Sequence, residues 1–386
     1  MSSDKPPNPN TPANLRAFDC DRVNQLHREG NVWDLPGGQL LLPGTFGFCR
    51  GVERALAMLE QAVNSHARSG TKLFLLGEII HNPWVNDYFR GRGVNVLTRQ
   101  ETLRLADLIT AADCAVIPAF GVPLPVERQL RAIGCEIVDT SCGDVRRLWV
   151  WAERAERDGF GVVIFGRAVH DETVVTKSRL AEVGGKYLVL GNLDEVGSFC
   201  EMLTGRASEA DFARAFGPEA TSAVSMQPFE RLAQVSQTTM LYNETMEVRR
   251  LIQQAFIKRF GPDEAQERLL FEPTVCRATQ DRQNAAIELC RSGVDLVIVV
   301  GGFTSSNTRH LYELARNYAP TQFIEDADAI ISADQLQAFD PERGEPVIRR
   351  DWLPARRPLR IGVLAGASCP KIVVGRVLDR LAEFLR

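Results

Sequence analysis

DLVIVVGGFTSSNTRHLYELARNYA, residues 295–319, is the stretch on which the fold turns. Residues 295–302 form an apolar, β-branched run ending in two glycines, and 307–319 repeats apolar side chains at three- and four-residue spacing. A strand apolar throughout is covered on both faces, and one that feeds at once into an amphipathic helix is half of a βαβ unit. The same succession recurs outward from it. Strands are expected at 72–77, 114–120, 135–139, 161–166, 186–191, 234–236, 321–325 and 360–366. Long helices are expected at 52–67, 145–159, 243–261, 278–293 and 370–385. Such alternation predicts an α/β fold with mainly parallel sheets.

A chain of 386 residues exceeds what one hydrophobic core usually supports. Grouping the strands and helices gives three similar domains, 36–140, 141–272 and 273–386, after a flexible N-terminal leader over 1–35 whose start is rich in Pro, Asn and Ser. The polar, alanine-rich segment 203–231 reads as an insertion, and 333–357, with its DPERGEP turn, as an excursion before the last strand. Hydrophobic content of 45%, charged content of 24% and a formal net charge of −4 give no basic footprint for nucleic acid. No apolar run has the length of a membrane span, and the first residues carry no hydrophobic signal core, so a cytoplasmic address and no membrane partner are expected.

Nine cysteines in a cytoplasmic chain are expected to stay reduced, as core residues, metal ligands or nucleophiles. Cys114, Cys135 and Cys290 lie within apolar segments and read as small buried hydrophobes. Cys49, Cys142, Cys276 and Cys369 instead follow apolar runs or glycine-rich turns and precede helices. Thiolates are favoured near helix N-termini, and soft sulfur donors select iron–sulfur clusters or zinc. Sequence intervals alone leave both open, along with a purely structural role.

In open α/β sheets ligands bind beyond the carboxyl ends of the strands. There this chain carries His81-Asn82-Pro83, Thr140-Ser141-Cys142, His170-Asp171-Glu172-Thr173, Gln237-Thr238-Thr239, Ser305-Ser306-Asn307 and Ser368-Cys369. Ser305, Ser306 and Asn307 open a helix, where unpaired backbone N–H groups suit an anion, although each serine could equally be a plain N-cap. Glu172 set against a bound anion would be pushed toward its protonated form and could deliver protons; the alternative is an ordinary acid at a helix start.

Taken together, GFCRGVERA (47–55), GEIIHNPWVN (77–86), PAFGV (118–122), IVDTSC (137–142), HDETVVT (170–176), SQTTM (236–240), CRATQDRQ (276–283), VVGGFTSSNTRHLYELA (299–315), WLP (352–354) and GVLAGASCP (362–370) resemble the 4-hydroxy-3-methylbut-2-enyl diphosphate reductase (IspH/LytB) family. They are most similar to its cyanobacterial and plant branch. The resemblance implies three domains in a pseudo-threefold arrangement around one central 4Fe-4S cluster, held by Cys49, Cys142 and Cys276 with the fourth iron open. It implies an oxidoreductase that removes the substrate hydroxyl and yields isopentenyl and dimethylallyl diphosphate, the last step of the methylerythritol phosphate route to isoprenoids. Glu172 would supply protons, Thr238 would orient Glu172 and the hydroxyl, and His81, His170, Thr238, Ser305, Ser306, Asn307 and Ser368 would hold the substrate. The implied partner is an electron donor such as ferredoxin or flavodoxin. Gly143-Asp144 stands where the family usually has proline after its second cysteine, and Phe165 and Arg277 also depart from the pattern. Those departures keep in view a paralogue acting on a different anionic allylic or hydroxylated substrate, and a non-catalytic iron–sulfur sensor that signals through cluster loss is the alternative from a different class.

Overall fold

The structure, a computed structural model, describes residues 13–67, 70–208, 211–341 and 343–386. The chain separates into two compact units. A terminal unit takes the chain up to Leu97 and again from Arg277 to Arg386, and a middle unit takes Thr98–Cys276. Each is an α/β assembly whose strands are mainly parallel.

The terminal unit carries a five-stranded sheet in the order Val32–Leu35, Gly38–Leu41, Leu359–Ala365, Leu296–Val300, Thr321–Ile324. Its first pair is antiparallel and the other pairings are parallel, with Ile298 opposite Val363. Every residue of Leu296–Val300 is buried, as a strand covered on both faces requires. Side chains alternate between two cores: Leu296, Ile298 and Val300 pack with the Lys371–Glu383 helix, whereas Val297 and Val299 pack with Ala286, Leu289, Leu311 and Tyr312 of the helices Arg277–Arg291 and Ser306–Ala315. A short parallel pair, Leu73–Leu75 with Val94–Val96, belongs to the same unit.

The leader expected over 1–35 is corrected from residue 13 onward, and residues 1–12 lie outside the described residues. A 3-10 helix at Ala13–Phe18, a helix at Asp21–Arg28 and the edge strand Val32–Leu35 are all formed. The reason is a short amphipathic pattern behind a polar start: Val23 and Leu26 join the core beneath the C-terminal helix, and the Phe18 ring meets Phe48, Trp84, Tyr88 and Phe89. The excursion at 333–357 is an antiparallel hairpin, Gln335–Asp340 with Glu345–Arg350.

The middle unit is built on a parallel sheet in the order Leu269–Phe271, Leu232–Ser236, Gly161–Phe165, Tyr187–Leu190. A second parallel pair joins Cys114–Ile117 to Glu136–Asp139. Within the expected insertion 203–231, Phe212, Phe216, Met226 and Phe229 are buried in one cluster with Leu188 and Phe199 of the sheet and its helix, so the described part of that segment closes the core. Its polar and alanine content hid four large apolar side chains spaced too irregularly to read as a helix. Phe229→Ala is therefore expected to cost about 3–5 kcal/mol of stability, as emptied aromatic sites do. Urea unfolding measures this, and a loss under about 1 kcal/mol would show the segment to be peripheral.

Candidate active site

In the middle unit the parallel strands Gly161–Phe165 and Leu232–Ser236 pair Phe165 with Ser236, so their carboxyl ends lie side by side. From the first, the chain enters the Asp171–Glu182 helix with His170 as N-cap; its Nδ1 accepts the Glu172 N–H at 3.3 Å. An accepting Nδ1 leaves the proton of the neutral ring on Nε2, which makes that nitrogen a donor. From the second strand comes Thr238. Its N–H donates to Oε1 of Glu172 at 2.6 Å, and its hydroxyl donates to Oε2 at 2.6 Å. Glu172 is only 2% exposed, so this acid is held by both oxygens in a buried position. The Thr238 carbonyl in turn accepts the Cys276 N–H at 2.9 Å. Gln237 supports the turn, its Oε1 accepting the Arg167 N–H at 3.1 Å and its Nε2 donating to the Thr239 hydroxyl at 2.7 Å.

In the terminal unit the ends of Leu296–Val300 and Leu359–Ala365 are neighbours in the same way. Ser305 caps the Ser306–Ala315 helix, its Oγ accepting the Thr308 N–H at 3.3 Å and the Thr308 hydroxyl at 2.9 Å. The Ser368 hydroxyl lies 3.3 Å from Ser305 Oγ and 3.3 Å from the His81 carbonyl. A Cβ on Gly366 would lie 2.1 Å from Thr308 Oγ1, so only glycine lets the helix start sit against this strand end. Thus His81, Ser305, Ser306, Asn307 and Ser368 share one corner of this unit, all around a helix N-terminus, where backbone N–H groups and the helix dipole favour an anion. His81 Nδ1 stands 3.0 Å from the Glu78 carboxylate, which fixes the plane of its ring. Asn307 has a second task. Its Oδ1 accepts the Ala367 N–H at 3.0 Å, and the Ala367 carbonyl accepts the Cys49 N–H at 3.4 Å.

Eight of the nine thiols fall into two groups, and the ninth, Cys20, is a half-buried N-cap of Asp21–Arg28 that packs against the core of the terminal unit, where burial raises its pKa. Cys49 and Cys142 are N-caps of the helices Arg50–His66 and Gly143–Arg157, and Cys276 immediately precedes Arg277–Arg291. All three are half-buried, and none of the nine cysteines is disulfide-bonded. By contrast Cys114, Cys135, Cys200, Cys290 and Cys369 are buried, as was read for three of them. Burial pushes the thiols of Cys114 and Cys200 up to about 12 and that of Cys290 up to about 11, and it raises Cys369 as well. Cys369, grouped by its sequence context with the three helix-start cysteines, belongs with the core.

One residue that sequence reading passed over is Arg282, six residues beyond Cys276. It is 5% exposed, and its guanidinium donates to the Gly47 carbonyl at 2.7 Å and to the Ala278 carbonyl at 2.8 Å. It therefore clamps the turn that presents Cys49. The clue was present in CRATQDRQ, but a charge in a helix normally faces water and nothing local marks this one as buried.

Native-state alkylation of reduced, metal-free protein at neutral pH tests the division of thiols. Cys49, Cys142 and Cys276 should react first, with Cys114, Cys200, Cys290 and Cys369 slower by roughly a hundredfold or more, because only the thiolate reacts. Equal labelling of Cys369 and Cys142 would contradict it. Arg282→Gln should further speed labelling of Cys49 while leaving Cys142 unchanged.

A sequence model described as the LytB protein matches residues 40–382. Curated relatives named 4-hydroxy-3-methylbut-2-enyl diphosphate reductase include one from Synechococcus sp. (strain WH7803), 35% identical over 95% of this chain and 90% of its own length. Others come from Prochlorococcus marinus (strain MIT 9301), 31% identical over 95% and 91%, and Thermosynechococcus vestitus, 32% identical over 94% and 89%. Among solved structures, one of (E)-4-hydroxy-3-methyl-but-2-enyl diphosphate reductase, the terminal enzyme of the non-mevalonate pathway, superposes with a TM-score of 0.52 at 26% identity. It covers 89% of this chain and 99% of that one. The Plasmodium falciparum reductase shares the fold, with a TM-score of 0.63 at 17% identity over 88% of this chain and 86% of that one. With a family match that spans most of its length and relatives above 30% identity along nearly all of it, this chain belongs to the LytB family.

Proposed function

We propose that this protein is a 4-hydroxy-3-methylbut-2-enyl diphosphate reductase, an oxidoreductase at the end of the non-mevalonate route to isoprenoids. The observation that carries the reading is Glu172 gripped through both oxygens by Thr238, which also receives the Cys276 N–H. A reductive dehydroxylation breaks the allylic C–O bond, consumes two electrons and two protons, forms one C–H bond and releases water. It therefore needs a buried proton donor, a diphosphate site and an electron source.

For the electron source we propose a 4Fe-4S cluster on Cys49, Cys142 and Cys276, within a family whose members are iron–sulfur enzymes. The donor set fits: Cys49, Cys142 and Cys276 are half-buried thiols at helix starts, without disulfides, separate from the buried cysteines of the cores and from Cys20, a helix-start thiol that packs against the core of the terminal unit. Three ligands rather than four leave one iron open. When bound, the cluster supplies electrons one at a time and a Lewis acid beside the leaving hydroxyl.

The other steps fall to side chains. Ser305, Ser306, Asn307 and Ser368, with the helix N-terminus they surround, bind the diphosphate, and His81 and the Nε2–H of His170 add donors. An anion brought beside Glu172 favours its protonated form, so substrate binding itself prepares the acid. Thr238 orients that acid and can pass a proton between Glu172 and the substrate hydroxyl. Both cleavage products keep the diphosphate and differ only in double-bond position. The electron donor is a separate one-electron carrier, with ferredoxin and flavodoxin as the candidates. Among the described residues no helix is long and apolar enough to cross a membrane; we take the cytoplasm as the site of action.

Anaerobically reconstituted protein, given a reductant and the allylic diphosphate, should release both five-carbon diphosphates. Glu172→Gln should lower kcat by roughly 10²–10⁴-fold at unchanged iron content, the usual range for a lost general acid. Thr238→Val should act in the same direction but less. Full turnover by Glu172→Gln would remove the acid from the mechanism, and no turnover by intact wild-type holoprotein would reject the function.

A further inference from the structure

Electrons have to come from outside, and the three helices that start at Cys49, Cys142 and Cys276 differ in what they show to solvent. On Arg50–His66 the exposed positions include Arg50, Glu53, Arg54, Gln61 and Asn64, a mixture. On Arg277–Arg291 they include Arg277, Asp281, Asn284, Glu288 and Arg291, again mixed, and Arg277 leans toward Asp281. On Gly143–Arg157 the exposed positions are Gly143, Arg146, Arg147, Val150, Arg154 and Arg157. Every charge among them is positive.

The acids of that helix lie elsewhere on its circumference. Asp144, Glu153 and Glu156 are half-buried; Glu153 faces Arg179 at 3.7 Å, and Glu156 packs beneath Gly185. Beyond the helix, Asp139 pairs with Arg146, and Asp158 approaches Arg154 at 3.8 Å, so the stripe is partly compensated at two points. Spacing of three and four residues sets Gly143, Arg147, Val150, Arg154 and Arg157 along one line. In its middle stands Val150, 63% exposed, an apolar side chain flanked by guanidinium groups. At its head is Cys142, and beside it Gly143, where an added Cβ would meet nothing within 4 Å. Val150 lies eight residues along the helix, about 12 Å from the cysteine at 1.5 Å per residue.

A cation early in a helix opposes the dipole and commonly costs a few tenths of a kcal/mol, which makes Arg146 and Arg147 poor choices for stability alone. Around an exposed apolar centre, arginines are what a protein interface uses to steer and orient an oppositely charged partner. We propose that the exposed face of Gly143–Arg157 is the docking surface for the electron donor, a small one-electron carrier protein with an acidic surface, which delivers its electrons at the Cys142 end. The inference rests on the reductase reading above. It assigns the Gly143-Asp144 departure a place, since a helix start without a bulky first residue leaves the approach to Cys142 open.

The test compares two reductants on one holoenzyme, a reduced acidic [2Fe–2S] ferredoxin and dithionite-reduced methyl viologen. Arg147→Glu with Arg154→Glu should lower ferredoxin-driven kcat/KM by about tenfold or more at low ionic strength and flatten its dependence on salt. The viologen-driven rate should not change, and Arg147→Lys with Arg154→Lys should keep most of the ferredoxin-driven rate. An unchanged ferredoxin-driven rate in the charge-reversed variant would overturn the proposal. So would an equal fall with both reductants, which would mean that the arginines support the fold. If wild-type holoenzyme turns over with neither reductant, the reductase reading itself fails.

Discussion

Thr238 commits every polar group it has. Its N–H and hydroxyl hold the two oxygens of Glu172, and its carbonyl holds the N–H of Cys276. A buried carboxyl group without partners would cost several kcal/mol, and satisfied in this way it is instead fixed in place. The arrangement depends on the parallel pairing of Gly161–Phe165 with Leu232–Ser236, because a one-residue slip would turn Thr238 away from the Asp171–Glu182 helix. The apolar core beneath the sheet, including the phenylalanines of 203–231, is what holds that register. Chemistry at the strand ends is thereby tied to packing some distance away.

The terminal unit repeats the device with different residues. Two adjacent parallel strands bring Ser305 and Ser368 within 3.3 Å, and Asn307 passes the constraint through Ala367 to the amide of Cys49. Arg282 closes the same turn from the other side through the Gly47 carbonyl. In each case, then, a polar residue ties a substrate-type group to the backbone amide of a cysteine, Thr238 directly to Cys276 and Asn307 through Ala367 to Cys49. Rigid strands position these atoms more closely than loops could, which is the condition for preorganised electrostatics.

Much of this was legible in the sequence. The apolar runs that end in Gly301, Gly366 and Gly166 announced parallel strands, and the serines, histidines and Thr238 beyond them announced a polar face, since period and turn chemistry are local properties. Thr238 was visible as a residue type, whereas its double grip on Glu172 depends on strand order, which no local pattern encodes. Arg282 looked like a solvated helix charge, and only its partner at Gly47, far away in the chain, shows that it is buried. The 3-10 helix and helix of residues 13–28 were concealed by the polar stretch before them, and Phe212, Phe216 and Phe229 by the composition around them. Cys369 shared the context of the helix-start cysteines, and burial alone set it apart. Family motifs supplied the substrate, which residue physics could narrow only to an anion.

The proposed reaction requires a three-thiol cluster with one differentiated iron that works beside Glu172. Mössbauer spectroscopy of anaerobic protein rebuilt with isotopically enriched iron measures this directly, with and without the allylic diphosphate. One iron site distinct from three alike, whose signal moves when the substrate is added, is the predicted result. Four equivalent irons that ignore the substrate, or a chain that binds no iron while Cys49, Cys142 and Cys276 are intact, would contradict it.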